Sequence, residues 1–157
     1  MSQRQNMYHL EYSQKIPVSI ALAWNFFSEP ANLQKITPGS MGFKITSPHL
    51  SGCIHEGLKI TYKVSPLFGI PLVWVSKITM VKKEELFIDE QEKGPYKYWQ
   101  HKHFFKEIEG GTLIQDMVTY QVPFGFLGKL IHSLFVKKKL KELFIYRKEK
   151  ITEFFLE

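Results

Sequence analysis

Hydrophobic and polar positions alternate with period two along most of the first 122 residues, and after Val122 the apolar residues recur at helical spacing. A series of strands followed by a long helix is predicted. The first strand covers Tyr8 to Ile16, with Tyr8, Leu10 and Tyr12 on one side. Pro17 ends it. The run V-S-I-A-L-A-W-N-F-F-S then brings Ile20, Trp24 and Phe27 to one helical face, with Ser19 as N-cap. Ser28-Glu29-Pro30 stops that helix, because proline disfavours a helical residue before it. A second short helix, A-N-L-Q-K-I, ends at Thr37-Pro38-Gly39. Strands follow at M-G-F-K-I-T-S-P, with Met41, Phe43 and Ile45 on one face, and, after a loop over residues 49–57, at L-K-I-T-Y-K-V. The next is L-V-W-V-S-K-I-T-M-V, placing Trp74, Ser76, Ile78 and Met80 together. Beyond a K-K-E-E turn comes L-F-I-D-E-Q.

The stretch from Gly94 to Val122 carries the most chemistry. On its first strand Trp99, His101, His103 and Phe105 share one face, and Tyr98, Gln100, Lys102 and Phe104 share the other. A turn at Gly110-Gly111 starts the return, on which Ile114, Asp116, Val118, Tyr120 and Val122 align. Two histidines and an aspartate thus fall among aromatic and aliphatic neighbours. That pattern suits either a ligand site with a few oriented polar groups or a buried hydrogen-bonded cluster of no chemical consequence.

The terminal helix has a split apolar stripe. Leu127, Leu130, Ile131 and Leu134 define one face, and Val136, Leu140, Leu143, Phe144, Ile151 and Phe154 another, roughly 140° away at about 100° per residue. A straight helix cannot bury both against one sheet. Either it breaks or rotates between Ser133 and Lys139, covering the first stripe, or that stripe stays exposed. In the second case Leu127, Leu130 and Ile131, with Lys137 and Lys138 beside them, would suit weak contact with a membrane surface.

Composition adds bounds. At 157 residues, 44% hydrophobic and 23% charged, the chain is expected to form one domain, residues 1–157, with a core of its own. Aromatics make up 15%, thirteen of them Phe, which is compatible with a lined cavity. The single cysteine, Cys53, excludes an internal disulfide framework and a cysteine-based zinc site. Neither a secretory leader nor a spanning run of apolar residues is seen, so a cytoplasmic location is expected. The net charge of +6 comes without a nucleic-acid-binding motif, and no nucleic-acid partner is expected. No P-loop, dinucleotide fingerprint or nucleophile elbow is present. No cofactor is implied, and His101, His103 and Asp116 alone do not make a metal site.

Four segments together resemble a known family: A-W-N-F-F-S-E-P-A-N-L-Q-K-I-T-P, F-I-D-E-Q-E-K-G-P-Y-K-Y-W-Q-H-K-H-F-F, G-G-T-L-I-Q-D-M-V-T-Y-Q-V-P-F-G and L-F-V-K-K-K-L-K-E-L-F-I-Y-R. As a set they are similar to the START/polyketide-cyclase (SRPBCC) superfamily, and more narrowly to a bacterial ligand-binding branch of it. The resemblance implies an α+β helix-grip (Bet v 1-like) fold: a curved antiparallel sheet of about seven strands, two short helices, and a long C-terminal helix across a cavity. It also turns the Trp99/His101/His103/Phe105 face inward, with Asp89 and Gln91 on the same wall.

The expected function is binding or carriage of a small hydrophobic molecule, lipid-like or polycyclic. Its lining would be Tyr62, Trp74, Ile78, Trp99, Phe105, Val118, Tyr120 and Leu143, with Asp89, Gln91, His101, His103 and Asp116 orienting a polar end. One alternative is a cyclase or dehydratase using His101 or His103 with Asp116 as acid and base. Another is an interaction module whose cavity is filled by its own aromatics. A binder is favoured over an enzyme, since histidines on an aromatic strand face are more often structural than catalytic, and the superfamily hosts binders, carriers and cyclases alike.

Overall fold

The computed structural model describes residues 6–48, 50 and 52–156; His49 and Ser51, in the loop expected over 49–57, lie outside the described residues. Strand β1 (Tyr8–Ile16) leads into α1 (Ile20–Phe27), a 3-10 helix (Pro30–Ile36) and a shorter one (Gly39–Met41). Then come β2 (Lys44–Ile45), β3 (Lys59–Val64), β4 (Leu72–Lys82), β5 (Leu86–Lys93), β6 (Tyr98–Ile108) and β7 (Gly111–Gln121). The chain ends in α2 (Gly125–Ile131), a π-helical turn (His132–Val136) and α3 (Lys137–Leu156). The seven strands form one antiparallel sheet in the order β1-β7-β6-β5-β4-β3-β2. Since β1 and β2 occupy opposite edges, the three short helical segments between them carry the chain from one edge to the other.

Local chemistry accounts for these elements. Ser19 caps α1, its hydroxyl accepting from the Leu22 N–H at 3.3 Å. Ala23, Trp24 and Phe26 of α1 are fully buried, and Ile20 and Phe27, half-buried, pack against the same core. The second short helix is 3-10 rather than α, and the strand expected from Met41 shrinks to Lys44–Ile45. Gly110 turns the β6–β7 hairpin at φ +79°, and a side chain on Gly111 would run into the Ile16 carbonyl. In β4, register shifts at Val75/Ser76 and Ile78/Met80 bend the strand and swing Met80 outward, 38% exposed. That corrects the expectation that Met80 shares a face with Trp74, Ser76 and Ile78.

The core has two centres on the inner face of the sheet. One gathers Trp24, Phe26, Phe87, Phe105, Ile114 and Ile151 beneath α1 and the end of α3. The other joins Trp74, Trp99, Val118 and Tyr120 to Val136, Leu140 and Phe144 of the terminal helix. Tyr12 stacks on Phe144 with ring centres 4.6 Å apart and planes 6° apart.

The split stripe is resolved by the π turn. The Lys137 N–H donates to the His132 carbonyl five residues back; one added residue rotates the following face by about 100°. His132 anchors the turn, paired with the Tyr120 hydroxyl at 2.7 Å and stacked on Tyr8 at 3.6 Å. The face of α3 carrying Leu140, Phe144 and Ile151 is thereby buried. The rotation does not cover the first stripe: Leu127 is 57%, Leu130 47% and Leu134 56% exposed, and only Ile131 of that set packs on the core. Among the described residues no helix is long and apolar enough to cross a membrane.

This division predicts unequal mutational costs. Phe144→Ala should lower unfolding free energy by about 3–4 kcal/mol, and Leu134→Ala by about 0.5 kcal/mol or less. Urea denaturation of the two variants measures both; equal costs would show that the helix faces are assigned wrongly.

Candidate functional site

Between the sheet and α3 lies a cavity of about 180 Å³. Tyr62, Trp74, Ile78 and Trp99 supply its sheet wall, together with the polar Ser76, Asp89, His101, His103 and Asp116. The terminal helix contributes Leu140, Leu143, Phe144, Arg147 and Ile151, and Met41, Phe43 and Tyr96 come from the connecting segments. Tyr62, Trp74, Tyr96 and Trp99 form a ring-to-ring chain, with centroids 4.8–5.9 Å apart between successive contacts.

The polar residues form one network because of strand register. His101 and His103 lie two apart on the central strand β6 and therefore on one face; β5 pairs Asp89 opposite His101, and β7 pairs Asp116 opposite His103. The strong bonds run along the diagonals. His101 Nε2 meets Asp116 Oδ1 at 2.7 Å, and His103 Nε2 meets Asp89 Oδ2 at 2.7 Å. His103 Nδ1 also stands 3.2 Å from Asp116 Oδ1, whereas His101 Nδ1 is 3.9 Å from Asp89 Oδ2. The imidazoles stack at 3.7 Å, and Phe87 covers the outer face of His103 at 4.0 Å.

No family model matches the chain, and no curated protein matches it. Solved structures do. Major latex-like protein 151 from Panax ginseng aligns with a TM-score of 0.69 at 12% identity, covering 96% of this chain and 99% of that one. A point mutant of norcoclaurine synthase from Thalictrum, in complex with a transition-state analogue, gives 0.67 at 16% over 97% and 96%. Protein Ms6760 from Mycobacterium smegmatis gives 0.66 at 15% over 93% and 89%. The chain has the helix-grip (Bet v 1-like) fold. At these identities the likeness speaks to the fold, and the chemistry of this helix-grip cavity has to be read from its own residues.

Burial makes that chemistry specific. For His103, burial works against the charged form, yet the bonds to Asp116 and Asp89 outweigh it and raise the pKa above the ordinary histidine value. Stacking on Phe87 supports the same cationic state. For His101, burial and the neighbouring His103 charge outweigh the bond to Asp116, so its pKa is lowered. Burial pushes both carboxyls up, but bonds from the imidazoles hold Asp116 and Asp89 below the usual carboxylate range. The network therefore favours two carboxylates, the imidazolium on His103 and a neutral imidazole on His101. In that neutral ring Nε2 carries the proton toward Asp116 and Nδ1 keeps its lone pair.

Arg147 faces this network from α3. Its Nε is buried without a hydrogen-bonding partner among the described residues, and its guanidinium lies over the Phe144 ring at 5.4 Å. Burial lowers its pKa, opposed by the charges of Asp116, Tyr62 and Asp89. Tyr62 meets Ser76 Oγ at 3.2 Å, and burial pushes its phenol up, as it does that of Tyr96. Asp89, His101 and His103 present atoms within 4.8 Å of one another that could hold a metal ion. A tetrahedral zinc ion would need its ligands roughly 3.3 Å apart, so the imidazole–carboxylate bonds would have to open first.

Several expected lining residues lie elsewhere. Gln91 clamps the β5–β6 turn, its amide donating to the Tyr96 carbonyl at 2.8 Å and accepting from the Tyr96 N–H at 3.1 Å. Phe105 packs under α1 against Trp24 and Phe27. Val118 and Tyr120, each 1% exposed, sit in the core, with the Tyr120 hydroxyl given to His132. Alternation identified their face but not how far along each strand the cavity extends. Arg147 was overlooked because I-Y-R-K-E-K reads as a solvated helix surface. Its spacing from Leu140, Phe144 and Ile151, on one buried stripe, was the available signal.

The charge assignment sets a pH dependence. A histidine raised in the folded state stabilises fully below the unfolded value of about 6.5 and loses that contribution as pH rises through the folded value. The depressed carboxylates stabilise above about pH 4 and lose it as pH falls through their folded values. His103→Gln should therefore cost about 2 kcal/mol near pH 6, and the deficit should narrow on raising the pH. Denaturant unfolding from pH 5 to 9 measures it; a deficit that widens with pH reverses the assignment.

Proposed function

We propose that the chain binds a small, mainly hydrophobic molecule in the cavity between sheet and α3. The supporting observation is the cavity itself, about 180 Å³ enclosed by aromatic and aliphatic side chains with a few polar groups converging on it. That volume is below the roughly 300–1,000 Å³ of pockets for drug-sized ligands. It favours a compact guest of one or two rings over a long acyl chain. One structural neighbour, norcoclaurine synthase, is by its name an enzyme. The corresponding reading for this chain is acid–base chemistry by His101, held by Asp116 at 2.7 Å with Nδ1 free to take a proton.

Native mass spectrometry of freshly purified protein, followed by denaturation, should release a compact apolar compound. Leu143→Trp, which fills the cavity from the helix side, should weaken rebinding of that compound at least tenfold with little change in melting temperature. No released compound and no uptake of small aromatic probes would reject the binding reading. If the compound is converted, His101→Gln should abolish turnover while keeping binding; equal turnover rules out the histidine as base.

The exposed stripe supports a second, compatible reading, contact with an anionic membrane surface. Phe124 is 75%, Phe126 84% and Phe68 66% exposed, alongside Leu127 and Leu130. Phe68, on the β3–β4 link, meets Phe135 of the π turn at 5.0 Å, and Pro66 of the same link lines the cavity. Lys129, Lys137, Lys138 and Lys141 are exposed along the same helical segment. Replacing Leu127 and Leu130 together by Ser should change stability by less than about 1 kcal/mol and abolish co-sedimentation with phosphatidylserine vesicles. Wild-type protein that fails to co-sediment at low salt would end this reading.

A further inference from the structure

Resting on the binding reading, we propose that the guest is an acid bound as its anion: a compact ring system bearing one carboxylate, received by Arg147. Arg147 belongs to the α3 stripe that faces the cavity, and its Nε is buried and unpartnered among the described residues. No ion pair within 4 Å satisfies its charge among the described residues, and its described contact is the Phe144 ring. The obvious counter-ions are already engaged: Asp116 Oδ1 takes His101 and lies beside His103, and Asp89 Oδ2 takes His103.

A second donor is stranded in the same cavity. Trp74 Nε1–H is buried with no partner among the described residues, although the ring itself belongs to the buried aromatic cluster. Leaving a buried donor unpaired is costly, and most of all for a charged one. Two such donors on the cavity wall call for a guest that brings acceptors and no further donors. A guanidinium suits a carboxylate through two parallel bonds. A dianion suits this site less well, because Asp89 and Asp116 also line the cavity. The aromatic chain of Tyr62, Trp74, Tyr96 and Trp99 meets the ring portion of the guest.

The test compares naphthoate with naphthamide, equal in shape and different in charge, by isothermal titration calorimetry and quenching of tryptophan fluorescence. Wild-type protein should prefer the acid anion by at least about tenfold. Arg147→Met, which keeps the length of the side chain without its charge, should bind the two within about threefold of each other. Trp74→Phe should weaken the acid by a smaller factor. Should Arg147→Met not fold, Arg147→Lys should keep a reduced preference, and the wild-type preference is readable without any variant. If wild type binds both equally, or prefers the amide, the anion inference fails while the binding reading stands. If it binds neither, and no compound is released from the purified protein, both fail.

Discussion

Carboxylates can share an apolar interior with other ionisable groups only if the sum of their charges stays near zero and each is hydrogen-bonded. In this chain strand register meets that condition. Two histidines two residues apart on the central strand β6 are flanked by one aspartate on each neighbouring strand, and the shortest bonds cross between strands on the diagonal. The arrangement lets one imidazole carry a proton between two carboxylates while its stacked neighbour remains neutral. Arg147, reaching in from the helix opposite, adds a positive charge that feels both carboxylates but is hydrogen-bonded to neither among the described residues. The sheet thus holds both carboxylates and one cation, and α3 holds a cation whose buried Nε is left unfilled.

That arrangement depends on how the terminal helix is seated. Arg147, Leu140, Phe144 and Ile151 face the sheet because the π turn at His132–Val136 rotates the helix after α2. The turn is held by the Tyr120–His132 bond, itself rooted in the β7 strand that carries Asp116. The rotation that buries one apolar stripe leaves the other exposed, so the same backbone irregularity that completes the cavity also creates the uncovered surface of Phe124, Phe126, Leu127 and Leu130.

The architecture was legible because long elements carry redundant signals. The strand Tyr8–Ile16 was bounded by Pro17, and α1 by Ser19 and Pro30. The inward face of β6 was set by Trp99 and Phe105 on either side of the histidines. The split stripe announced a discontinuity within residues 133–139, and the π turn at His132–Val136 overlaps it. What the pattern did not carry was anything decided by tertiary geometry. A bulge turned Met80 outward, and Gln91 found backbone partners at Tyr96. The cavity stopped short of Phe105, Val118 and Tyr120. Arg147 was hidden for a different reason: a charged residue in a lysine-rich helix reads as surface until the buried stripe is traced through it. Cross-strand partners were equally out of reach, since alternation names a face while only register decides which carboxylate meets which imidazole.

The distribution of protons is the most direct thing to measure. Side-chain nitrogen NMR of the uniformly labelled protein at neutral pH should show His103 with protons on both ring nitrogens. His101 should appear as a single neutral tautomer protonated at Nε2. Two neutral rings, or two rings titrating together at an ordinary histidine pKa, would contradict the charge-balanced interior on which this account of the cavity rests.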